Sequence, residues 1–166
     1  NNLLPSFHFT AQLLTIKPKK ATSDGGSGVK KGDYFVDLKH IENKINPNVN
    51  SLIIKTQQDY SSLHKKTYNN TNWPYLTENA AGYIRDSGIL HLLIDQPSVD
   101  KEFDDGKLLA HKAFWNYPNI IDSKRTITEL IGIPDGVPDG LYLLNLSLSN
   151  IENDASPSRP VIYKLY

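Results

Sequence analysis

The chain has 166 residues, and its 18 Lys and Arg residues balance 18 Asp and Glu residues. Hydrophobic residues make up 39% of it, which is enough for one packed domain and excludes general disorder. The lack of a basic excess argues against a dedicated nucleic-acid binder, and no apolar run approaches the roughly 20 residues of a membrane span. Because there is no cysteine, disulfides, thiolate metal sites and cysteine nucleophiles are excluded.

Short segments with alternating apolar residues recur along the chain and are bounded by Gly, Pro, Asn or Asp. Such alternation is typical of half-buried strands. The clearest case is 142–149, with Tyr142, Leu144, Leu146 and Leu148 on one face. The predicted strands lie within residues 6–17, 33–38, 50–56, 82–95 (interrupted by a turn or bulge at 86–88), 124–133, 142–149 and 161–166.

Helical patterns are weak by comparison. Residues 57–66 are long enough for two helical turns, and 107–115 fits either a helix or a strand. The turn, Tyr-bearing strand, polar loop and final strand of 133–166 resemble the last hairpin of immunoglobulin-like and fibronectin-type sandwiches. We therefore expect an all-β fold: one β-sandwich domain over residues 1–166, immunoglobulin-like or jelly-roll-like, with one or two short helices.

Two aromatic clusters are the candidate ligand-binding residues. Trp73 and Tyr75 lie in an Asn-rich segment, and Trp115 and Tyr117 lie in a second segment of similar composition. Aromatic faces next to amides can stack on a sugar ring while the amides bind its hydroxyl groups. The alternative is that both tryptophans close the ends of the core.

No residue pattern predicts a metal, a cofactor or a catalytic group. The five histidines have no metal-like spacing, and the acidic segment 100–106 departs from a calcium loop at its sixth and twelfth positions. It is therefore better explained as a solvated loop, with a non-EF calcium site as the alternative. A pair of catalytic carboxylates stays an alternative, because the fold and not the spacing in the sequence sets their separation.

These observations favour a non-enzymatic binding or adhesion module that is secreted or lies on a cell or particle surface, with a glycan or cell-surface ligand. A start at Asn1 without methionine fits a processed chain. The first alternative is a self-assembling structural subunit of a capsid, phage tail, pilus or fibre. A charge asymmetry supports it, since residues 1–70 carry ten basic and five acidic residues. A small hydrolase is the weaker alternative.

Overall fold

The computed structural model describes residues 6–26, 28–56, 59–119, 123–151 and 153–165. Its main feature is a curved, mixed six-stranded sheet that forms a half-barrel, with strand order β7-β6-β4-β1-β8-β9. A small sheet has the order β2-β3-β5. None of the helices in the described ranges has the length and apolar character that crossing a bilayer requires.

The strands and helices are short and alternate along the chain. The strands are β1 (His8–Thr15), β2 (Lys19–Lys20), β3 (Tyr34–Val36), β4 (Ser51–Lys55), β5 (Tyr75–Leu76), β6 (His91–Ile94), β7 (Thr126–Thr128), β8 (Gly140–Leu148) and β9 (Ser158–Lys164). The helices are α1 (Leu38–Ile41), α2 (Glu78–Asp86) and α3 (Leu109–Trp115), and Tyr60–Lys65 forms a 3₁₀ helix.

Strands β1, β4, β6 and β7 run parallel, whereas β8 and β9 continue the sheet in antiparallel fashion. The central strands β4 and β6 are buried on both faces, as strands of a parallel sheet covered on both sides are. Their polar groups are therefore confined to the strand ends. The carboxyl ends of β4, β6 and β7 lie at one edge of the sheet, where their connecting loops meet.

Alternate residues of these strands supply two cores. Leu52, Ile54, Leu92 and Ile94 face helices α2 and α3, and the first core is completed by residues such as Ile84 and Phe114. Ile53 and Leu93 point to the opposite face, where they pack with β1 and β8. A sheet with apolar contacts on both faces explains why these runs are continuously hydrophobic.

Helix α2 overlaps the first part of the segment 82–95, for which a strand is predicted. Thr77 caps it by accepting a hydrogen bond from the Ala80 backbone N–H, and Ala80, Ala81 and Ile84 form its buried stripe. This spacing of three and four residues is helical, and it was obscured because Tyr83 and Ile84 also fit a strand. The predicted strand over 82–95 is thus wrong in its first part, while β6 confirms its second part.

The β-sandwich expectation is wrong for the domain as a whole. The fold is a mixed-sheet half-barrel of the α/β class, and its helices pack on one face where a second sheet was expected. Period-two alternation identified β8 and β1 correctly, but it cannot distinguish two stacked sheets from one sheet covered by helices. The ambiguous segment 107–115 contains α3, and the described part of 57–66 contains a 3₁₀ helix, with residues 57 and 58 outside the described ranges.

One buried histidine gives the fold a pH dependence. His91 is 2% exposed at the start of β6, contacts the Phe9 ring, and pairs through Nδ1 with the Thr126 hydroxyl at 2.9 Å. Burial lowers the pKa of His91 to about 4, from an ordinary value of 6.5. The folded state therefore binds this proton less readily than the unfolded state does.

We expect the free energy of unfolding to fall as the pH drops from 6.5 to 4, with His91 accounting for about 3 kcal/mol. Urea unfolding at a series of pH values measures this effect. In His91→Leu that share of the pH dependence should disappear, whereas the exposed control His8→Asn should retain it. An unchanged pH dependence in His91→Leu would contradict the assignment.

Candidate active site

The candidate site is centred on His111, in the first turn of α3. Its Nδ1 lies 2.6 Å from Asp100 Oδ2, and its Nε2 lies 3.4 Å from Glu129 Oε1. Since a carboxylate at this distance accepts, Nδ1 carries the proton in the Asp100 hydrogen bond. When His111 is neutral, the lone pair of Nε2 therefore faces Glu129, and when His111 is charged, an N–H does.

Asp100 holds both the helix and the imidazole. Residue 108, which precedes α3, provides no side-chain cap and has left-handed backbone angles. Asp100 caps the helix from a distance instead: Oδ1 accepts the Ala110 N–H at 2.7 Å, and Oδ2 accepts the His111 N–H at 3.2 Å. The carboxylate that starts the helix thus also orients the His111 ring.

Glu129 follows β7 directly, at the carboxyl edge of the sheet. Its Oε1 accepts the Val99 N–H at 2.8 Å, which links it to the loop that carries Asp100. In the same region the Leu130 N–H donates to the Gln96 carbonyl oxygen. The parallel pairing of β6 and β7 therefore brings residues 99, 100 and 129 together.

Electrostatics at the site favours a charged imidazole. Burial of His111 opposes its charge, but the hydrogen bond to Asp100 and the negative charges of Glu129, Asp100 and Asp104 outweigh it. The pKa of His111 is therefore raised above its ordinary value. A ligand that needs the Nε2 lone pair must displace a proton more often here than at an exposed histidine.

A cleft of about 480 Å³ lies beside Asp100. Lys101 Nζ on its wall donates to Asp33 Oδ2 at 3.1 Å, and Phe103 is 63% exposed. The wall thus combines apolar and charged surface. Its lining includes Asn72, Tyr75, Asp100, Lys101, Phe103 and Leu109.

The four aromatic residues predicted to bind a ligand lie in different surroundings. Trp73 is half-buried, and its indole Nε1–H donates to the Asp100 carbonyl oxygen at 2.9 Å. The ring of Trp115 lies 5.2 Å from that of His111, and Tyr75 is buried with its hydroxyl on Asp33. Tyr117 is 54% exposed, with Lys112 over its ring. Both tryptophans therefore border the Asp100–His111 pair, and the residues do not form one platform.

The carboxylates of the acidic segment 100–106 accept hydrogen bonds from backbone N–H groups. Asp100 caps α3, Asp104 accepts from the N–H groups of Gly106 and Leu108, and Glu102 accepts from three N–H groups of residues 70–72. These carboxylates are directed to different parts of the chain. Within the described ranges, no group of three or more His, Asp or Glu side chains is arranged to hold a metal ion.

The sequence pattern did not identify His111 and Glu129 as partners, since they are 18 residues apart in the chain. One signal was available. The apolar runs of β4 and β6 are those of a doubly covered parallel sheet, and polar residues just after such strands meet at one edge. Glu129, directly after the Thr126–Thr128 strand, fits that rule.

Two of the solved structures that resemble this fold are described as hydrolases. One is described as a potential metal-dependent hydrolase with cyclase activity (16% identity, TM-score 0.63), and the alignment covers 94% of this chain and 65% of that one. The other is a predicted metal-dependent hydrolase from Bacillus stearothermophilus (16% identity, TM-score 0.64, 98% and 64%). The chain thus spans just under two-thirds of the length of both. No curated protein matches it.

The family comparison corrects the expected function. The sequence profile of the "Putative cyclase" family matches residues 3–101, which is more than half of the chain. A cyclase family points to an enzyme, so the expectation of a non-enzymatic carbohydrate-binding or adhesion module is wrong, and nothing in the comparisons supports secretion. They do not test its partners or its location, which stay predictions. This chain belongs to the cyclase family.

Proposed function

We propose that this chain carries out metal-dependent hydrolysis and that His111 and Glu129 are two of the metal ligands. The observation that carries the proposal is the opposed use of the two imidazole nitrogens. Asp100 fixes Nδ1, and Nε2 is left facing the Glu129 carboxylate at 3.4 Å. The descriptions of the two structural neighbours name this chemistry, and the family match supports an enzyme.

The chemical types of the two proposed ligands fit a divalent metal ion. Imidazole nitrogen and carboxylate oxygen are both zinc ligands, and a histidine that binds metal usually donates its other N–H to a carboxylate or carbonyl. The pairing of His111 with Asp100 has that form. A catalytic zinc takes three protein ligands. The proposal assigns two of them, His111 and Glu129, and within the described ranges no third His, Asp or Glu side chain completes a metal-binding group.

A divalent metal ion supplies Lewis-acid chemistry to a hydrolase, polarising the bond to be cleaved and activating water near neutral pH. Asp100 keeps the proton on Nδ1, so that Nε2 is the nitrogen available as a donor. The Trp115 ring packs against the His111 ring, with the two ring centres 5.2 Å apart. The cleft next to Asp100 offers a substrate an exposed aromatic ring at Phe103, while Lys101 on its wall is paired with Asp33.

Zinc titration of the purified protein, followed by calorimetry, tests the ligand assignment. We expect His111→Ala and Glu129→Gln to weaken Zn²⁺ binding by about 100-fold or more, because each removes a donor. The controls His8→Ala and Glu42→Gln alter exposed residues of the same types and should bind as the unaltered protein does. Equal binding by all four variants would exclude these residues as ligands.

Hydrolysis itself is tested by removing the metal. We expect a chelator to abolish cleavage of amide and ester substrates by the protein, and added Zn²⁺ or Mn²⁺ to restore it. Hydrolysis that survives complete metal removal would contradict the proposed function.

Affinity for Zn²⁺ should fall as the pH drops below the raised pKa of His111, because the ion competes with the proton at Nε2.

Replacing Asp100 tests its orienting role. In Asp100→Asn the hydrogen bond and the charge that raise the pKa of His111 are weakened while burial remains, so we expect that pKa to fall. Asparagine keeps one of the two oxygens that accept from the first turn of α3, so we expect the loss of stability to stay below about 1 kcal/mol. NMR titration of the imidazole measures the first effect, and Asp154→Asn, at an exposed position in another loop, is the control. An unchanged His111 pKa would contradict the role.

A further inference from the structure

The segment that holds Asp100 is itself fastened to another loop. We name residues 68–75 the aromatic strap; its sequence Tyr-Asn-Asn-Thr-Asn-Trp-Pro-Tyr lies between the 3₁₀ helix and α2. The strap and residues 100–102 are 25 or more positions apart in the chain. Three consecutive residues, Asp100, Lys101 and Glu102, nevertheless each contact the strap or a residue bound to it.

Glu102 makes the most specific of these contacts. Its Oε1 accepts the Asn70 N–H at 2.5 Å, and its Oε2 accepts the N–H groups of Thr71 at 3.0 Å and Asn72 at 2.8 Å. Asn70 and Asn72 have φ values of 61° and 49°, in the left-handed region that asparagine tolerates better than most residues. Successive N–H groups in such a turn form a concave nest for an anion, and here the Glu102 carboxylate occupies it.

Trp73 fastens the same segment at its other end. Its Nε1–H donates to the Asp100 carbonyl oxygen at 2.9 Å, while the Asp100 carboxylate holds α3 and His111. Asp100 is thus bound through its main chain by the strap and through its side chain by the helix. A shift of the strap would move the carboxylate relative to Nδ1.

Asp33 contacts both the aromatic strap and the segment 100–102. This buried carboxylate accepts from Asn72 Nδ2 at 3.1 Å, from the Tyr75 hydroxyl at 2.8 Å and from Lys101 Nζ at 3.1 Å. Its own burial disfavours the charge, but these donors and the Lys30 N–H outweigh that effect and lower the pKa of Asp33. The Asp33 carboxylate thus joins Asn72 and Tyr75 of the strap to Lys101.

We propose that Glu102 and Trp73 are positioning residues for the Asp100–His111 pair: docking of the aromatic strap onto residues 100–102 sets the orientation of the imidazole. This inference rests on the proposed function, because it assigns the two residues to the ligand His111. It also gives a role to the acidic segment and to one of the aromatic clusters, which the metal ligands alone leave unexplained.

The test compares Glu102→Gln and Trp73→Phe with the unaltered protein. Glutamine replaces one acceptor oxygen by an NH₂ group that cannot accept the N–H bonds of the nest, and phenylalanine keeps a ring but loses the indole donor. Two readouts are measured: the proton resonance of His111 Nδ1–H, which needs no metal, and the affinity for Zn²⁺ alone. Asp139→Asn is the stability control, since it weakens hydrogen bonds to Thr15 on β1, two strands away from β6.

We expect both variants to shift or broaden the Nδ1–H resonance and to weaken Zn²⁺ binding by about tenfold, the lower end of what losing a partner behind a metal ligand costs. Asp139→Asn should change neither readout, although it lowers the melting temperature. In an Asp100→Asn background, Glu102→Gln should add little further loss, because residues acting through one another are not additive.

An unchanged Nδ1–H resonance in folded Glu102→Gln and Trp73→Phe would overturn the inference, as would full additivity with Asp100→Asn. Failure of the proposed function gives a different pattern, in which the unaltered protein binds no Zn²⁺. In that case the Nδ1–H resonance still decides whether the strap positions the pair. Should Glu102→Gln fail to fold, Trp73→Phe carries the test alone.

Discussion

The arrangement of the site depends on one carboxylate. Asp100 accepts hydrogen bonds from the first turn of α3 and from His111 Nδ1, so the start of the helix and the orientation of the imidazole have a common cause. Because the residue before α3 has no capping side chain, the N-terminus of the helix is capped by a residue from the preceding loop. The position of the loop backbone therefore affects the orientation of the His111 imidazole.

The sheet determines where such a group can be built. Strands β4 and β6 are buried on both faces, so a charged side chain within them would lose its hydration. The polar residues collect where the parallel strands end, and there Glu129 meets Val99 and His111. The helices cover one face of the same sheet, and α3 brings His111 to that edge.

The sequence allowed some of this to be predicted, and physical reasons account for the rest. Alternation identified β1 and β8, because each packs one face against a core and leaves the other face more polar. It misassigned α2, since Tyr83 and Ile84 suit either structure, and the Thr77 cap was the better signal. The stacking of two sheets was inferred from strand spacing alone, which does not distinguish antiparallel strands from parallel ones separated by short helices.

The candidate site was harder to predict than the strands. Asp100, His111 and Glu129 have no motif spacing. The pairing of β6 with β7 and the start of α3 at the Asp100 carboxylate make them neighbours. The two tryptophans were predicted as ligand-binding residues, and the comparisons do not test that assignment. In the structure Trp73 binds the Asp100 main chain and Trp115 packs on His111.

The most direct measurement of the central claim is anomalous diffraction at the zinc edge from crystals of the protein grown with Zn²⁺. The account predicts a peak about 2.0–2.1 Å from His111 Nε2, with Glu129 also bound and Nδ1 still paired with Asp100. A zinc ion bound to Nδ1, or zinc present in the crystal but not at His111 and Glu129, would contradict it.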